Sequence, residues 1–101
     1  MLGLNPLGIE DGGKKLSGKG VAQALRWAIM AELDAVNFYE QFAERIEDEA
    51  VRKTFLDVAN EEKEHIGEFL TLLLRVDPEL GEYIRKGASE VEEDTGIKLE
   101  L

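Results

Sequence analysis

The sequence predicts an all-α protein, a two-helix antiparallel hairpin followed by a short third helix. Three observations indicate this fold class. Six of the ten glycines fall within residues 1–20, whereas none occurs between Val21 and Gly67. Apolar residues in that glycine-free stretch recur at helical spacing, and one acidic turn divides it into two long halves. A lone hairpin leaves an apolar flank exposed on each helix, so we expect two copies to pair as a four-helix bundle.

Residues 1–18 are predicted to form a flexible N-terminal arm. Asn5-Pro6 and Gly12-Gly13 interrupt any regular pattern there. The arm lacks a long apolar run, so we expect no signal peptide. No stretch approaches the 18 or more apolar residues of a membrane-spanning helix, so no membrane association is expected.

The first helix is predicted over residues 19–46, with Ser17 as its N-terminal cap. The turn follows at residues 46–49, where Asp48 is expected to cap the next helix and the acidic residues favour that helix's N-terminus. The apolar stripe of the first helix comprises Leu25, Ile29, Leu33 (or Glu32), Val36, Tyr39 and Ala43.

The second helix is predicted over residues 49–75. Asp77-Pro78 then supplies a cap and a proline at the first position of a third helix, which we expect to end near Gly87. Residues 19–87 thus form the helical domain, and residues 88–101 are predicted to be an acidic tail or linker. The second stripe comprises Val51, Phe55, Val58, Ala59, Glu62, His65, Ile66, Phe69 and Leu73.

Composition narrows the functional classes. The formal net charge is -10, which argues against nucleic-acid binding because phosphate contacts need clustered Lys and Arg. An acidic surface concentrates cations such as Fe²⁺, although solubility alone also explains it. The sequence contains no cysteine, which excludes disulfides and thiolate metal sites and fits an intracellular location.

The chain's single histidine, His65, lies three residues after Glu62, so both side chains point to one side of a helix. Glu32 and Glu62 lie at similar distances from the turn, about 20 Å at ~1.5 Å rise per residue. The three side chains should therefore meet. One Glu from each of two helices plus Glu-x-x-His from each of two others is the ligand set of di-iron helical bundles. One chain carries half of that set, and a two-fold dimer would complete it.

Glu32, Glu62 and His65 interrupt apolar stripes, where an unpartnered carboxylate is costly. Carboxylate and imidazole ligands suit Fe²⁺, Mn²⁺ or Zn²⁺. A chance spacing, or a hydrogen-bonded core histidine, is the alternative interpretation. Tyr39, two turns after Glu32, could hydrogen-bond a ligand carboxylate or simply pack. Asp34 is a candidate for a cation-entry path, although exposed helix faces often carry such acids.

Two segments, residues 31–41 (AELDAVNFYEQ) and residues 60–65 (NEEKEH), together resemble the encapsulated ferritins. These short ferritin-like proteins accompany encapsulin nanocompartment shells or are fused to them. The resemblance covers about residues 21–87. The Asn5-Pro6 arm and the change after Thr95-Gly96 are most similar to the archaeal form, in which the ferritin-like domain precedes the shell protein in one fusion.

The resemblance implies a ferroxidase that oxidises Fe²⁺ with O₂ at a di-iron centre between two subunits. It implies a decamer of five dimers, with mineral stored inside the encapsulin shell in the cytoplasm. Glu32, Glu62 and His65 match the family's iron ligands, Tyr39 its nearby tyrosine and Asp34 one acid of a proposed iron-uptake site; Ca, Mn or Zn could substitute for iron. The chain departs from the family at Ala31, in place of an uptake-site acid, and at Phe38, in place of a tryptophan.

Three alternatives stay open at the level of sequence. One is a helical module in which bound metal only supports assembly. Another is a Zn- or Mn-binding hairpin without redox chemistry, since the same ligands hold all three metals. The third is a rubrerythrin-like peroxidase half-domain, which is disfavoured because the sequence has no cysteine-rich element to deliver electrons.

Overall fold

A computed structural model describes residues 14–101, and within that range the chain forms three helices and no strand. They are α1 (Lys19–Ala43), α2 (Glu49–Val76) and α3 (Pro78–Thr95). Helices α1 and α2 pack along each other as a hairpin, and α3 packs against α2. The predicted all-α fold class is confirmed. Most of the predicted N-terminal arm, residues 1–13, lies outside the described residues, so its flexibility stays a prediction.

The start of α1 differs from the sequence expectation. Its N-cap residue is Gly18, with φ 52° and ψ -115°, and no side chain caps the helix. The Ser17 carbonyl accepts a hydrogen bond from Gly20 N–H at 3.0 Å. The expectation of a Ser17 cap is therefore wrong, because the positive φ required at the last non-helical position favours glycine.

The turn between α1 and α2 is longer than predicted. Helix α1 ends at Ala43 and not at residue 46. The chain then continues with hydrogen bonds of the 3₁₀ type, from Arg45 N–H to Phe42 O and from Ile46 N–H to Ala43 O. The predicted Asp48 cap is confirmed, since its side chain accepts hydrogen bonds from Ala50 N–H and Val51 N–H. This cap fixes where α2 begins and hence the register of the hairpin.

Helix α3 begins as predicted but ends later. Asp77 caps it by accepting from Leu80 N–H, and Pro78 occupies its first turn. The predicted end near Gly87 is wrong, because the helix runs on to Thr95. A Gly in a helix costs only about 1 kcal/mol, too little to stop α3. The helix stops at Gly96 instead. Gly96 has a left-handed φ of 77°, which glycine adopts readily, and its N–H donates a hydrogen bond to Glu92 O. Whether residues 88–101 serve as a linker or tail stays a prediction.

The described residues form a thin slab with little interior. Its extents are 49 × 45 × 19 Å and its radius of gyration is 17.2 Å, against about 13 Å for a compact domain of 100 residues. Within residues 14–101 only five apolar residues are buried, and three of them are alanines: Ala22, Val36, Ala43, Ala59 and Leu73. Many large apolar side chains remain exposed, which is typical of a subunit that completes its core by association.

The three helices also bear on membrane association. None of those described combines the length and apolarity needed to cross a bilayer.

Candidate metal centre

Three metal-ligating side chains meet between the two long helices. Helix α1 contributes Glu32, and α2 contributes Glu62 and His65 one turn apart. One donor atom from each lies within 4.8 Å of the other two. His65 Nδ1 is 3.4 Å from Glu32 Oε2 and 3.6 Å from Glu62 Oε2. The predicted meeting of the three side chains is therefore present in one chain.

The burial of these side chains differs in a way that bears on chemistry. Each carboxylate side chain is 19 % exposed, whereas the His65 side chain is 44 % exposed. Glu32 Oε2 is buried and accepts no hydrogen bond from the described residues. A buried carboxylate oxygen without a donor is unfavourable. A cation between the carboxylates and Nδ1 would remove that cost.

Two of the three donor spacings are close to those around a single ion. Two donors that each lie about 2.1 Å from one ion are roughly 3.0–3.4 Å apart in octahedral or tetrahedral geometry. The His65 Nδ1 distances to the two carboxylate oxygens are 3.4 and 3.6 Å, and all three donors lie within 4.8 Å of one another. Oxygen and nitrogen donors without sulfur suit iron, manganese or zinc. The residues present therefore fit a divalent metal.

Three donor atoms do not complete the coordination shell of an octahedral metal such as Fe²⁺. One Glu-x-x-His and one further Glu are half of the set that di-iron bundles use. Because the His65 side chain is nearly half exposed, the group can be reached from outside its own hairpin. A second copy is the source of ligands that the sequence predicts, and that pairing stays a prediction.

Two other residues singled out from the sequence lie outside this group of three. The Tyr39 ring packs edge-on against Phe38 and Phe55, with centroid separations of 5.3 and 5.8 Å. Asp34 is exposed on α1. The hydrogen bond from Tyr39 to a ligand carboxylate and the cation-uptake role of Asp34 both stay predictions.

One cross-helix contact near the site was not anticipated. Lys63, next to Glu62 in the chain, pairs with Glu40 of α1 at 3.1 Å (Nζ to Oε2) and donates to Asn60 Oδ1 at 3.4 Å. The Lys63–Glu40 pair joins α1 to α2 close to the helical turn of α2 that carries Glu62 and His65. Because a lysine side chain is long and flexible, it can reach several partners, so helix spacing alone predicts such an ion pair only weakly.

Replacing Glu32 with glutamine is expected to raise the unfolding temperature of the metal-free protein while weakening metal binding. The substitution removes a charge whose Oε2 is buried without a donor, a gain equivalent to about 1 kcal/mol. Thermal unfolding in the presence of a chelator measures it. Glu64→Gln, an exposed neighbour on α2, is the control and should change little. A lower melting temperature for Glu32→Gln would contradict this account of Glu32.

Comparison with known proteins places these helices among characterised chains. Residues 23–99 match the rubrerythrin family. The crystal structure of the encapsulated ferritin domain from Pyrococcus furiosus superposes with a TM-score of 0.86 at 49 % identity, covering 98 % of this chain and 100 % of that one.

Two curated relatives are also associated by name with encapsulins. The ferritin-like-encapsulin shell fusion protein of Pyrococcus furiosus is 50 % identical over 101 residues, which is all of this chain and 29 % of that protein. The encapsulin nanocompartment cargo protein EncC of Myxococcus xanthus is 30 % identical over 77 residues, 76 % of this chain and 59 % of that protein. The chain thus spans less than two thirds of either relative.

Proposed function

The chain belongs to the rubrerythrin family and has the ferritin-like fold of the encapsulated ferritins, and from that premise we propose that it is a ferroxidase. The proposed reaction oxidises Fe²⁺ to Fe³⁺ with O₂ as the electron acceptor, at a di-iron centre shared across a two-fold dimer interface. The observation that carries the proposal is the group of Glu32, Glu62 and His65, with a buried carboxylate oxygen that lacks a donor.

Charge balance supports a centre made by two chains. Two copies of Glu32 and Glu62 bring four carboxylates, whose four negative charges match two divalent ions. Two copies of His65 add two neutral nitrogen donors. Buried charges are tolerated where they are paired in this way. Two irons held by these residues would supply the redox chemistry, since two Fe²⁺ give the two electrons that, with two protons, reduce one O₂ to hydrogen peroxide.

The three side chains have distinct roles in this proposal. Glu62 would bridge or chelate the metals, His65 would be a terminal nitrogen ligand, and Glu32 would close the shell from the opposite helix. Tyr39 is proposed to hydrogen-bond a ligand carboxylate. Asp34 is proposed to lie on the path by which Fe²⁺ arrives.

The relatives suggest where the reaction takes place. One is by name a fusion with an encapsulin shell, and the other is a cargo protein of an encapsulin nanocompartment. We propose that this chain likewise acts inside an encapsulin shell in the cytoplasm, as an assembly of dimers that reaches the family's decamer. Calcium, manganese and zinc are expected to compete for the same ligands.

A second candidate is a helical module in which metal supports assembly without redox chemistry. The thin core and the many exposed apolar side chains of the single chain favour it. The two candidate functions differ in whether the protein oxidises iron. A ferroxidase loses iron oxidation when a ligand is removed, whereas an assembly module has no turnover to lose.

The proposed centre makes assembly dependent on divalent cations. Without metal, four carboxylates at the two-fold axis repel one another and weaken the dimer. Size-exclusion chromatography with light scattering should therefore show a shift to larger species when Fe²⁺ (anaerobic) or Ca²⁺ is added to chelator-treated protein. Oxidation of Fe²⁺ should follow the larger species, and a separated monomer should be nearly inactive.

Two results would count against a shared, metal-assembled centre. One is a size profile that is identical with and without metal. The other is a monomeric fraction that oxidises iron as fast as the oligomer does, because one chain provides only half of the ligands.

A further inference from the structure

A single residue separates the second and third helices. Asp77 has φ -135° and ψ 72°, outside the helical region, between Val76 at the end of α2 and Pro78 at the start of α3. Because proline fixes its own φ, the backbone angles of Asp77 largely set the direction in which α3 leaves the hairpin.

The Asp77 carboxylate uses its two oxygens for two different elements. Oδ1 accepts a hydrogen bond from Leu80 N–H at 3.2 Å and so caps α3. Oδ2 accepts one from Arg26 Nη1 of α1 at 3.0 Å. A carboxylate is a rigid planar group, so it ties the first turn of α3 to the second turn of α1.

Little else connects α3 with α1. Within residues 14–101, α3 packs against α2, and no Cα atom of α3 comes within 8 Å of one in α1. The pair is also partly shielded from water, with the Arg26 side chain 42 % and the Asp77 side chain 25 % exposed. Charge-assisted hydrogen bonds of this kind are stronger than neutral ones.

The direction of α3 matters because the helix carries an unpacked apolar face. Ile84 and Val91, seven residues apart on one side of the helix, are exposed, and so is the adjacent Tyr83. A change in the direction of α3 would move these side chains together, and with them any surface to which they contribute.

We propose that the Arg26–Asp77 pair is a latch that fixes the direction of α3 relative to the α1–α2 hairpin. With the latch closed, the apolar face of α3 is presented in one orientation. With it open, the cap on α3 persists but the helix swings about Asp77. The latch is a property of this chain that is independent of iron oxidation.

The test uses a pair of spin labels in the full chain. The sequence has no cysteine, so Gln41→Cys on α1 and Glu93→Cys on α3, both exposed positions, accept labels without competition. Labelled protein is diluted with unlabelled protein so that distances between copies do not contribute. Double electron–electron resonance then measures the distance between α1 and α3. The parent should give one narrow distribution, and Arg26→Ala should lose it in favour of a broad one.

Controls separate the latch from capping and from general loss of charge. Arg52→Ala removes an arginine whose ion-pair partner among the described residues is Glu49 on its own helix, and it should keep the narrow distribution. Asp77→Asn retains a capping side chain but loses the charge, so it should broaden the distribution as Arg26→Ala does. Combining the two changes should add nothing further.

The outcome that overturns the latch is a narrow, unchanged distribution in Arg26→Ala, or equal broadening in Arg52→Ala. Circular dichroism checks that the helices persist. If Arg26→Ala loses helicity, Asp77→Asn decides the question by the same criterion.

Discussion

Replacing Glu62 with alanine is expected to reduce O₂-dependent oxidation of Fe²⁺ to the rate in buffer. The substitution deletes a carboxylate that lies 3.6 Å from His65 Nδ1 and that a dimer would present twice. Removing even a group that only orients a metal ligand costs about 10–100-fold in metal affinity, so loss of a ligand should cost more. Calorimetric titration with Fe²⁺ under anaerobic conditions measures the affinity, and absorbance of the ferric product measures turnover.

Glu64→Ala is the matched control for Glu62→Ala. Glu64 is an exposed glutamate on α2 that lies outside the group of three ligands. Its replacement removes the same charge from the same helix and should leave both affinity and turnover close to the parent. If Glu62→Ala retained turnover, or if both variants lost it equally, Glu62 would not be a ligand.

Replacing Phe38 with aspartate is expected to leave the chain helical but monomeric and inactive. The Phe38 ring packs on Tyr39 and Phe42, yet the residue is 51 % exposed in the single chain. A charge at an apolar interface costs about 3 kcal/mol, which weakens association roughly a hundredfold. Light scattering measures the mass, circular dichroism the helicity, and absorbance the oxidation of iron.

Asn60→Asp controls for the added charge. Asn60 is exposed on α2, where it accepts a hydrogen bond from Lys63. An aspartate there should leave assembly and turnover intact. An active, fully assembled Phe38→Asp would show that this aromatic cluster does not form the interface that completes the site.

The hairpin could be predicted because its signals are local. Asp48 and Asp77 are side chains that cap helices in the residues that immediately follow them, and Pro78 suits only a first turn. The wrong predictions of a helix cap at Ser17 and a helix end near Gly87 also have local causes. Gly18 displaced Ser17 as the first cap because the backbone there needs a positive φ. Gly87 did not end α3 because its cost is small beside the gain from continuing.

The meeting of Glu32 with Glu62 and His65 could be predicted because the turn sets the register of two straight helices. Equal distance from the turn puts residues at the same level. The Glu40–Lys63 and Arg26–Asp77 pairs could not be found in this way. Their long side chains reach across positions that are not level, so many partners satisfy the spacing equally well.

What the sequence leaves open is the part of the site that a second copy would contribute. Both the side chains that face the partner and the order of ligands around the metals depend on how two slabs pack. The exposed apolar side chains of residues 14–101 are a surface that a second copy would cover, and the proposed pairing follows from the incomplete ligand set of one chain.

The shared ferroxidase centre is tested most directly by loading the protein with Fe²⁺ without oxygen, adding O₂, and following ferric absorbance for the parent and Glu32→Ala together. A shared centre predicts rapid oxidation that saturates at two irons per dimer in the parent and is lost in Glu32→Ala. No acceleration over the buffer blank in the parent would contradict it and would favour a metal-bound assembly module without redox chemistry.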